Sequence, residues 1–214
     1  KKAPVIIAIH PDELSHTTTE MVKGIIDRVN KSPIPVVIHL DHGASFQQVI
    51  TAIQAGFTSV MIDASSLPYE ENIAICQKVC ETAHGVNVSV EGELGTIGNT
   101  DSVETTAPDE ILYTDPKQAK DFIEKTGIDC LAIAIGTCHG IYPKDKKPEL
   151  RIDILDKIKA IVDAPLVLHG GSSNKDSEIA KSVEHGVNKI NISSDIKVAY
   201  YDKIEQEQIY MKSF

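Results

Sequence analysis

Basic residues, cysteines and long apolar runs are all scarce in this sequence. Its 214 residues include 21 Lys and Arg against 31 Asp and Glu, and the formal net charge of −10 argues against nucleic acid or an anionic membrane as the main partner. No apolar run approaches the ~18 residues of a membrane-spanning helix, and the first residues have no signal-peptide pattern. The four cysteines lack the spacing of a disulfide framework or a zinc ribbon. We therefore expect a globular protein of the reducing cytoplasm.

The sequence does contain a regular alternation of short β-branched runs and amphipathic stretches, which is typical of repeated βαβ units. Ser45 and Asp115 stand at predicted helix starts. Four glycines are each predicted to end a helix in the left-handed conformation, and these are Gly56, Gly85, Gly127 and Gly186. The predicted strands cover residues 5–9, 36–40, 59–62, 87–91, 130–135, 166–169 and 189–192.

Seven strands fit either an open doubly wound sheet or a (β/α)8 barrel. Polar residues end nearly every strand, and only a closed barrel brings all of these ends to one active-site face. The sequence therefore predicts an α/β protein with a single domain over residues 1–214, a (β/α)8 TIM barrel whose first βα unit is absent from this chain. The polar residues at the strand ends are Asp41, His42, Asp63, Glu91, Glu93, His139, His169 and Asn191.

Three of these residues are histidines that follow buried strands and lie beside glycines. A single histidine at a strand end is more often a hydrogen-bonded structural residue than a metal ligand. Three neutral imidazoles at one barrel face make an open zinc site, with the fourth position left for substrate. The spacing therefore favours His42, His139 and His169 as zinc ligands, whereas the other histidines, His10, His16, His39, His84 and His185, lack this context.

Five ordered segments closely resemble the class II, zinc-dependent ketose-bisphosphate aldolases, and they cover residues 38–43, 55–63, 90–95, 169–172 and 189–194. The resemblance runs from about residue 2 to about residue 199. It implies reversible cleavage of a ketose 1,6-bisphosphate, of the fructose or tagatose type, to dihydroxyacetone phosphate and an aldehyde. It further implies a role in carbohydrate metabolism, namely glycolysis, and a homo-oligomer, dimeric or tetrameric.

The resemblance assigns the zinc ion to His42, His139 and His169 and gives it the task of stabilising the enediolate. It implies that Asp41 transfers the proton of the C4 hydroxyl. The alternative role for Asp41, next to a ligand, is to orient His42.

Three further carboxylates are predicted to form an acidic rim. Glu91 and Glu93 share one strand face by the two-residue period, and Asp63 ends the preceding strand. The resemblance implies that Asp63 and Glu93 hold an alternative or spectator metal. Otherwise, these groups accept salt bridges from loop lysines.

Two loops are predicted to bind phosphate: residues 170–172, after the strand at 166–169, and residues 191–194, at the end of the last strand. Glycines let the backbone approach an anion, and a helix N-terminus follows. The resemblance implies that Asn191 and the serines after it bind the dihydroxyacetone phosphate half. It also places a monovalent cation, Na⁺ or K⁺, on the carbonyls around Cys138, Gly140, Gly170 and Ser172. The predicted substrate-binding residues are Gly140, Gly170, Gly171, Ser172, Asn191, Ser193 and Ser194.

The sequence also departs from the family pattern. The loop 95–104 lacks the usual acidic run that supplies the mobile acid for C3, and Asp101 or Glu104 is the possible substitute. Ser66 stands where many members carry a histidine, and His10 stands where some members carry a phosphate-contacting serine. The substrate preference therefore stays open. Residues 95–109 and 141–150 are predicted to be mobile lid loops.

Three alternatives compete with metal-dependent aldol cleavage. A non-catalytic phosphosugar-binding or assembly subunit would keep the zinc site without the mobile acid. A metal-dependent hydrolase would leave the two phosphate loops without a purpose. A Schiff-base aldolase is disfavoured because the one lysine near a strand, Lys189, is predicted to open that strand at the barrel's N-terminal face.

Overall fold

The structure, a computed structural model, describes residues 3–16, 19–96, 98–99, 112–139 and 149–211. The predictions for Asp101, Glu104 and Gly140, and most of both predicted lid loops, lie outside these residues. The chain divides into two compact units. The first comprises Lys1–Leu94 and Lys117–Ala132, and the second comprises Gly95–Pro116 and Ile133–Phe214. The expectation of a single domain stays a prediction.

Strands and helices alternate along the chain, as the sequence predicts. The main sheet has seven strands in the order β1-β2-β3-β4-β6-β8-β9, and β5 pairs with β7. Seven parallel strands with helices between them match an incomplete (β/α)8 TIM barrel, so the predicted fold class is confirmed. The elements are β1 (Val5–Ile9), α1 (Pro11–His16), α2 (Thr19–Asn30), β2 (Val36–Gly43), α3 (Phe46–Ala55), β3 (Ser59–Ile62), α4 (Tyr69–His84), β4 (Ser89–Leu94), β5 (Gly98–Asn99), α5 (Pro116–Thr126), β6 (Cys130–Ile133), β7 (Cys138–His139), α6 (Ile152–Lys159), β8 (Leu166–Leu168), α7 (Asp176–Glu184), β9 (Val187–Ile190) and α8 (Ser194–Met211).

In the first unit, β1, β2, β3 and β4 pair in parallel. Leu40, Val60 and Val90 are register neighbours on successive strands, and none of them is exposed to solvent. Helix α4 adds Cys76 and Val79, which are equally buried. Consecutive residues of β3, Val60, Met61 and Ile62, are all buried, as expected for a strand that is covered on both faces.

In the second unit, β8 and β9 pair in parallel, and the short strands β5 and β7 form a second parallel pair. Leu166 and Leu168 on β8 are fully buried, as are Leu155 and Ile158 on α6. The spacing of three between Leu155 and Ile158 puts both side chains on one helix face, which accounts for the packing of α6 into this core. No helix within the described ranges is long and apolar enough to cross a membrane.

Three of the four predicted glycine caps have the left-handed backbone, because Gly56, Gly127 and Gly186 all have positive φ. The prediction for Gly85 is wrong: its φ is −59°, and the left-handed residue is Asn87, with φ 58°. The chain continues right-handed past α4 and turns two residues later, at an Asn whose short polar side chain tolerates that conformation. The following strand consequently begins at Ser89 rather than at residue 87.

Other boundaries shift by a few residues. Strand β2 continues to Gly43 rather than ending at residue 40, and β4 continues to Leu94. Strand β9 begins at Val187, so Lys189 is its third residue and does not open the strand. The expectation that Lys189 opens this strand is therefore wrong. That expectation was the argument against a Schiff-base lysine at this position.

The predicted cap at the start of α3 is present. Ser45 Oγ accepts a hydrogen bond from the Gln48 backbone N–H at 3.3 Å, and Gln48 Oε1 accepts one from the Ala44 N–H at 2.8 Å. The substitution S45A is expected to lower the free energy of unfolding by about 1 kcal/mol, because a helix-end donor loses its acceptor. Urea unfolding measures the loss, and S45D, which keeps an acceptor, is the control. Equal losses in both variants would contradict the cap's contribution.

Candidate active site

The end of β2 is irregular at Asp41, the predicted base, and His42, a predicted zinc ligand. The register between β2 and β3 shifts between Leu40 and Gly43, which leaves one extra residue on β2. His42 lies in this bulge with φ 47°, a left-handed conformation that costs a non-glycine residue about 1–3 kcal/mol. Such strain persists only where the surrounding structure enforces it. The bulge therefore marks Asp41 and His42 as a functional position.

A half-buried carboxylate, that of Asp63, orients the ring of His42. Its Nδ1 lies 2.7 Å from Asp63 Oδ2, while Asp63 Oδ1 accepts hydrogen bonds from Ser65 N at 3.2 Å and Ser65 Oγ at 2.8 Å. Metal-ligating histidines typically engage a carboxylate through the ring nitrogen that does not bind the metal. Asp63 thus has the contacts of an orienting group, which is the role that the sequence leaves open as the alternative for Asp41.

Charges around this pair shift both pKa values. Burial raises the pKa of Asp63, but the hydrogen bond and charge of His42, together with the Ser65 donors, outweigh it and lower the pKa to about 2. Burial lowers the pKa of His42, whereas the hydrogen bond to Asp63 and the charges of Asp41, Asp63 and Glu91 bring it above its ordinary value. The environment therefore favours a positive charge on or beside this imidazole.

Glu93 completes a group that could hold a metal ion. Ligand atoms of His42, Asp63 and Glu93 all lie within 4.8 Å of one another. Burial, followed by the charges of Asp63 and Glu91, raises the pKa of Glu93 well above its ordinary value. A bound cation would offset this repulsion, and a nitrogen and two carboxylates suit zinc among other divalent metals. Asn72 on α4 fixes this strand end, because its Nδ2 donates to the Glu93 carbonyl at 3.0 Å.

Glu91 is not among the described residues that form the candidate metal-ligating groups, although its charge acts on His42 and Glu93. Its side chain is fully buried and lies 3.7 Å from His39 Nε2, and Cys130 Sγ donates to the same carboxylate oxygen at 3.5 Å. His39 Nδ1 in turn contacts Ser59 Oγ at 2.8 Å. Within the part of the chain that the structure describes, Glu93, which is nearer the strand end, is the glutamate that joins the group of His42 and Asp63. Glu91 forms part of a polar network inside the sheet.

We expect H39A to destabilise the protein strongly. The variant removes the imidazole beside the buried Glu91 carboxylate, and losing one partner of such a buried pair costs about 3 kcal/mol. H84A is the matched control, because His84 contacts Asp129 at 2.9 Å but both side chains are more than 40% exposed, and its loss should stay below about 1 kcal/mol. Both values come from urea unfolding. Similar losses in the two variants would show that burial of the His39 pair has no special effect.

The second unit brings two predicted ligands together. The ring centroids of His139, on β7, and His169, after β8, lie 6.0 Å apart. Asn191 Nδ2 lies 3.3 Å from His169 Nε2, so a residue predicted to bind substrate also contacts a predicted ligand. His169 is completely buried, which fits an imidazole held in one orientation.

Hydrogen bonds link the two predicted phosphate loops to each other. Ser172 Oγ accepts hydrogen bonds from the N–H groups of Ser193, at 3.1 Å, and Asp195, at 3.3 Å. The Asp195 carboxylate accepts from Ser173 N, with both oxygens at 3.0 Å, and Ser173 has the strained φ of 61°. These N–H groups are therefore bonded within the protein, whereas the sequence predicts that the backbone of these loops binds phosphate. Asp195, which no sequence motif indicates, links the two loops.

The glycines of the first loop are required by close contacts. Gly170 has φ 63°, and a Cβ there would collide with the Cys138 carbonyl. A Cβ at Gly171 would lie 2.6 Å from Ile190 Cγ2 and 2.8 Å from the Asn191 carbonyl oxygen. The two glycines are therefore required by the close approach of other protein groups. Their predicted role, the approach of the backbone to an anion, stays a prediction.

Several site residues escaped the sequence interpretation. Ser65, Asn72 and His39 act through hydrogen bonds to residues 2 to 21 positions away. The Asp-x-Ser spacing of Asp63 and Ser65 was a usable signal, since an aspartate commonly bonds the N–H two residues later. No local pattern indicates the contacts of Asn72 or His39.

The fold and these sites define a (β/α)8 protein with groups suited to a catalytic metal. A family model described as "Fructose-bisphosphate aldolase class-II" matches residues 1–213. The chain belongs to the class II fructose-bisphosphate aldolase family, as the sequence motifs predict. It is an enzyme of the lyase class that catalyses aldol cleavage, and its family is generally metal-dependent.

Individual relatives agree with this assignment. The fructose-bisphosphate aldolase of Geobacillus stearothermophilus is 39% identical over 211 residues, which cover 96% of this chain and 72% of the relative. That of Staphylococcus aureus strain Mu50 is 43% identical over 204 residues, covering 93% and 70%. The crystal structure of the YdjI aldolase from Escherichia coli K12 superposes with a TM-score of 0.85 at 33% identity, covering 97% of this chain and 72% of that one.

Proposed function

We propose that this chain reversibly cleaves a ketose 1,6-bisphosphate to dihydroxyacetone phosphate and an aldehyde, with a zinc ion held by His42, His139 and His169. The observation that carries this proposal is the bond between His42 and Asp63 in a strained bulge beside Asp41. Relatives named fructose-bisphosphate aldolase make the fructose isomer the first choice of substrate. Its tagatose isomer is the second.

Zinc fits the donors available in each unit. Asp63 holds the Nδ1 side of His42, and the rings of His139 and His169 lie beside each other. When bound, zinc supplies positive charge that stabilises the negative charge left on the ketone half after cleavage. Asp63 and Glu93 lie close enough to His42 to hold an alternative or spectator metal position.

Asp41 is proposed as the base. The carboxylate removes the proton of the C4 hydroxyl, the C3–C4 bond breaks as the C4 carbonyl forms, and the bonding electron pair remains on the ketone half. The role of orienting His42 already belongs to Asp63, through the 2.7 Å contact. The contact between Asp63 and His42 therefore favours proton transfer over orientation as the role of Asp41. Protonation of C3 completes the reaction, and Asp101 or Glu104 remains the proposed source of that proton.

Phosphate binding is proposed for the two loops after β8 and β9. Asn191, Ser193 and Ser194 supply side chains near the N-terminus of α8. Gly170 and Gly171 keep their proposed role from the family resemblance, because the contacts seen at these glycines are with other protein groups. Ser172 holds this helix start through two hydrogen bonds, so its contribution is to position the second loop. Gly140 keeps its proposed role from the family resemblance alone.

The remaining proposals rest on the family resemblance and composition. We infer a homo-oligomer, dimeric or tetrameric, that works in glycolytic carbohydrate metabolism in the cytoplasm. A non-catalytic binding subunit is not favoured, because the chain belongs to an enzyme family over nearly its whole length.

The test is a cleavage assay on the full chain with fructose 1,6-bisphosphate and tagatose 1,6-bisphosphate. We expect dihydroxyacetone phosphate to form from at least one of them, a chelator to stop the reaction, and added Zn²⁺ to restore it. Borohydride should trap no substrate adduct, although Lys189 lies within β9. Absence of cleavage, insensitivity to the chelator, or a trapped adduct would each overturn the proposal.

A further inference from the structure

The loop after β8 contains a side chain that bonds two of its own carbonyl groups. Asn174 Nδ2 donates to the carbonyl oxygen of Gly170 at 2.7 Å and to that of Ser172 at 3.1 Å. These two carbonyls belong to the set that the family resemblance assigns to Na⁺ or K⁺. Of the other two members of this set, the Cys138 carbonyl lies against Gly170, where no Cβ fits, and Gly140 lies outside the described residues.

A monovalent cation does not fit these carbonyls while Asn174 donates to both. The two amide hydrogens carry partial positive charge and point at the oxygens that would coordinate the ion. A cation shared by the same two oxygens would have to approach those hydrogens closely, and like charges repel strongly in a partly buried site. The carbonyl groups therefore already have the positive partner that an ion would provide.

The orientation of the amide follows from the same contacts. Turning it around would direct Asn174 Oδ1 at two carbonyl oxygens, a repulsive arrangement without an ion between them. In the observed orientation, Oδ1 is buried without a hydrogen-bond partner among the described residues. The unpaired acceptor costs about 1–3 kcal/mol, but the reverse orientation would lose both donor contacts and bring three acceptor oxygens together.

We infer that Asn174 replaces the monovalent cation as the partner of the Gly170 and Ser172 carbonyls, so that this loop keeps its conformation without Na⁺ or K⁺. Asn174 is a positioning residue, because it acts on the loop that carries His169 at one end and Ser172 within it. The inference rests on the proposed function only where activity is the readout.

Thermal unfolding tests the inference without turnover. The full chain is melted in KCl, NaCl and choline chloride at equal ionic strength, and the wild type is expected to have one Tm in all three salts. N174A should unfold about 4 °C lower in choline chloride. K⁺ or Na⁺ should restore at least half of this loss, because the two carbonyls then accept an ion. N174D, whose carboxylate adds a ligand, should show a larger cation-specific rise.

N188A is the matched control. Asn188 also bonds a backbone group in this unit, since its Oδ1 accepts from the Leu166 N–H at 3.1 Å, but it lies on β9 away from the loop carbonyls. Its variant should lose stability equally in all three salts. If N174A fails to fold, N174D in K⁺ against choline chloride provides the same comparison.

Three results would overturn the inference. One is a wild-type Tm that rises with K⁺ or Na⁺ relative to choline. Another is a loss in N174A that no cation reverses, which would make the amide a purely structural link. The third is an N174D variant without a cation-specific rise.

In the cleavage assay, KM should be cation-independent in the wild type and several-fold lower with K⁺ than with choline in N174A, at unchanged kcat. An inactive wild type would refute the proposed function but leave the melting result valid.

Discussion

H42A is expected to lose its bound zinc and to lower kcat/KM for the bisphosphate by at least about 10³-fold. The variant removes one of three proposed ligands and leaves Asp63 without the imidazole that offsets its charge. Loss of positive charge at the developing oxyanion removes the largest single stabilisation of the transition state. Zinc content after dialysis and the cleavage rate measure the two effects separately.

H185A is the control for this experiment. His185 Nδ1 contacts Asp156 Oδ1 at 2.6 Å, which nearly repeats the His42–Asp63 distance of 2.7 Å, but it caps a helix in the second unit. Its variant should keep full zinc content and activity. If H42A retained stoichiometric zinc and turnover, or if H185A lost them equally, the assignment of His42 as a ligand would be refuted.

D41N and D63N are expected to fail in different ways. Asn at position 41 has the size of Asp but cannot accept the C4 hydroxyl proton, so kcat should fall by about 10²–10⁴-fold while zinc stays bound. Asn at position 63 weakens the carboxylate contact that orients His42, so zinc affinity should fall by about 10–100-fold. Excess Zn²⁺ should therefore rescue D63N but not D41N.

This pair decides between the two roles considered for Asp41. Zinc affinity is measured by competition with a chromophoric chelator, and kcat at saturating Zn²⁺. Rescue of D41N by excess zinc would show that Asp41 orients the ligand, contrary to the proposal. A D63N variant with unchanged zinc affinity would show that the hydrogen bond to His42 contributes nothing to metal binding.

Much of the fold follows from local sequence. Ser45 predicts the start of α3, and the strand at 59–62 is predicted without error, because caps and apolar runs act over a few neighbouring residues. The Gly85 prediction is wrong because the chain stays right-handed at Gly85, and the left-handed residue is Asn87. How far the last turn of a helix continues depends on packing, which the local pattern does not contain.

The sequence by itself determined the repeated βαβ order, the fold class and the residue types from which the site is built, including the family motifs around His42, His139 and His169. Only the tertiary structure decided which carboxylate contacts which histidine. Asp63 Oδ2 lies 2.7 Å from His42 Nδ1, and Glu91 lies 3.7 Å from His39 Nε2. The reason is physical: these partners stand on different strands, and a contact between strands depends on their register and on the bulge at His42, which shifts that register by one residue.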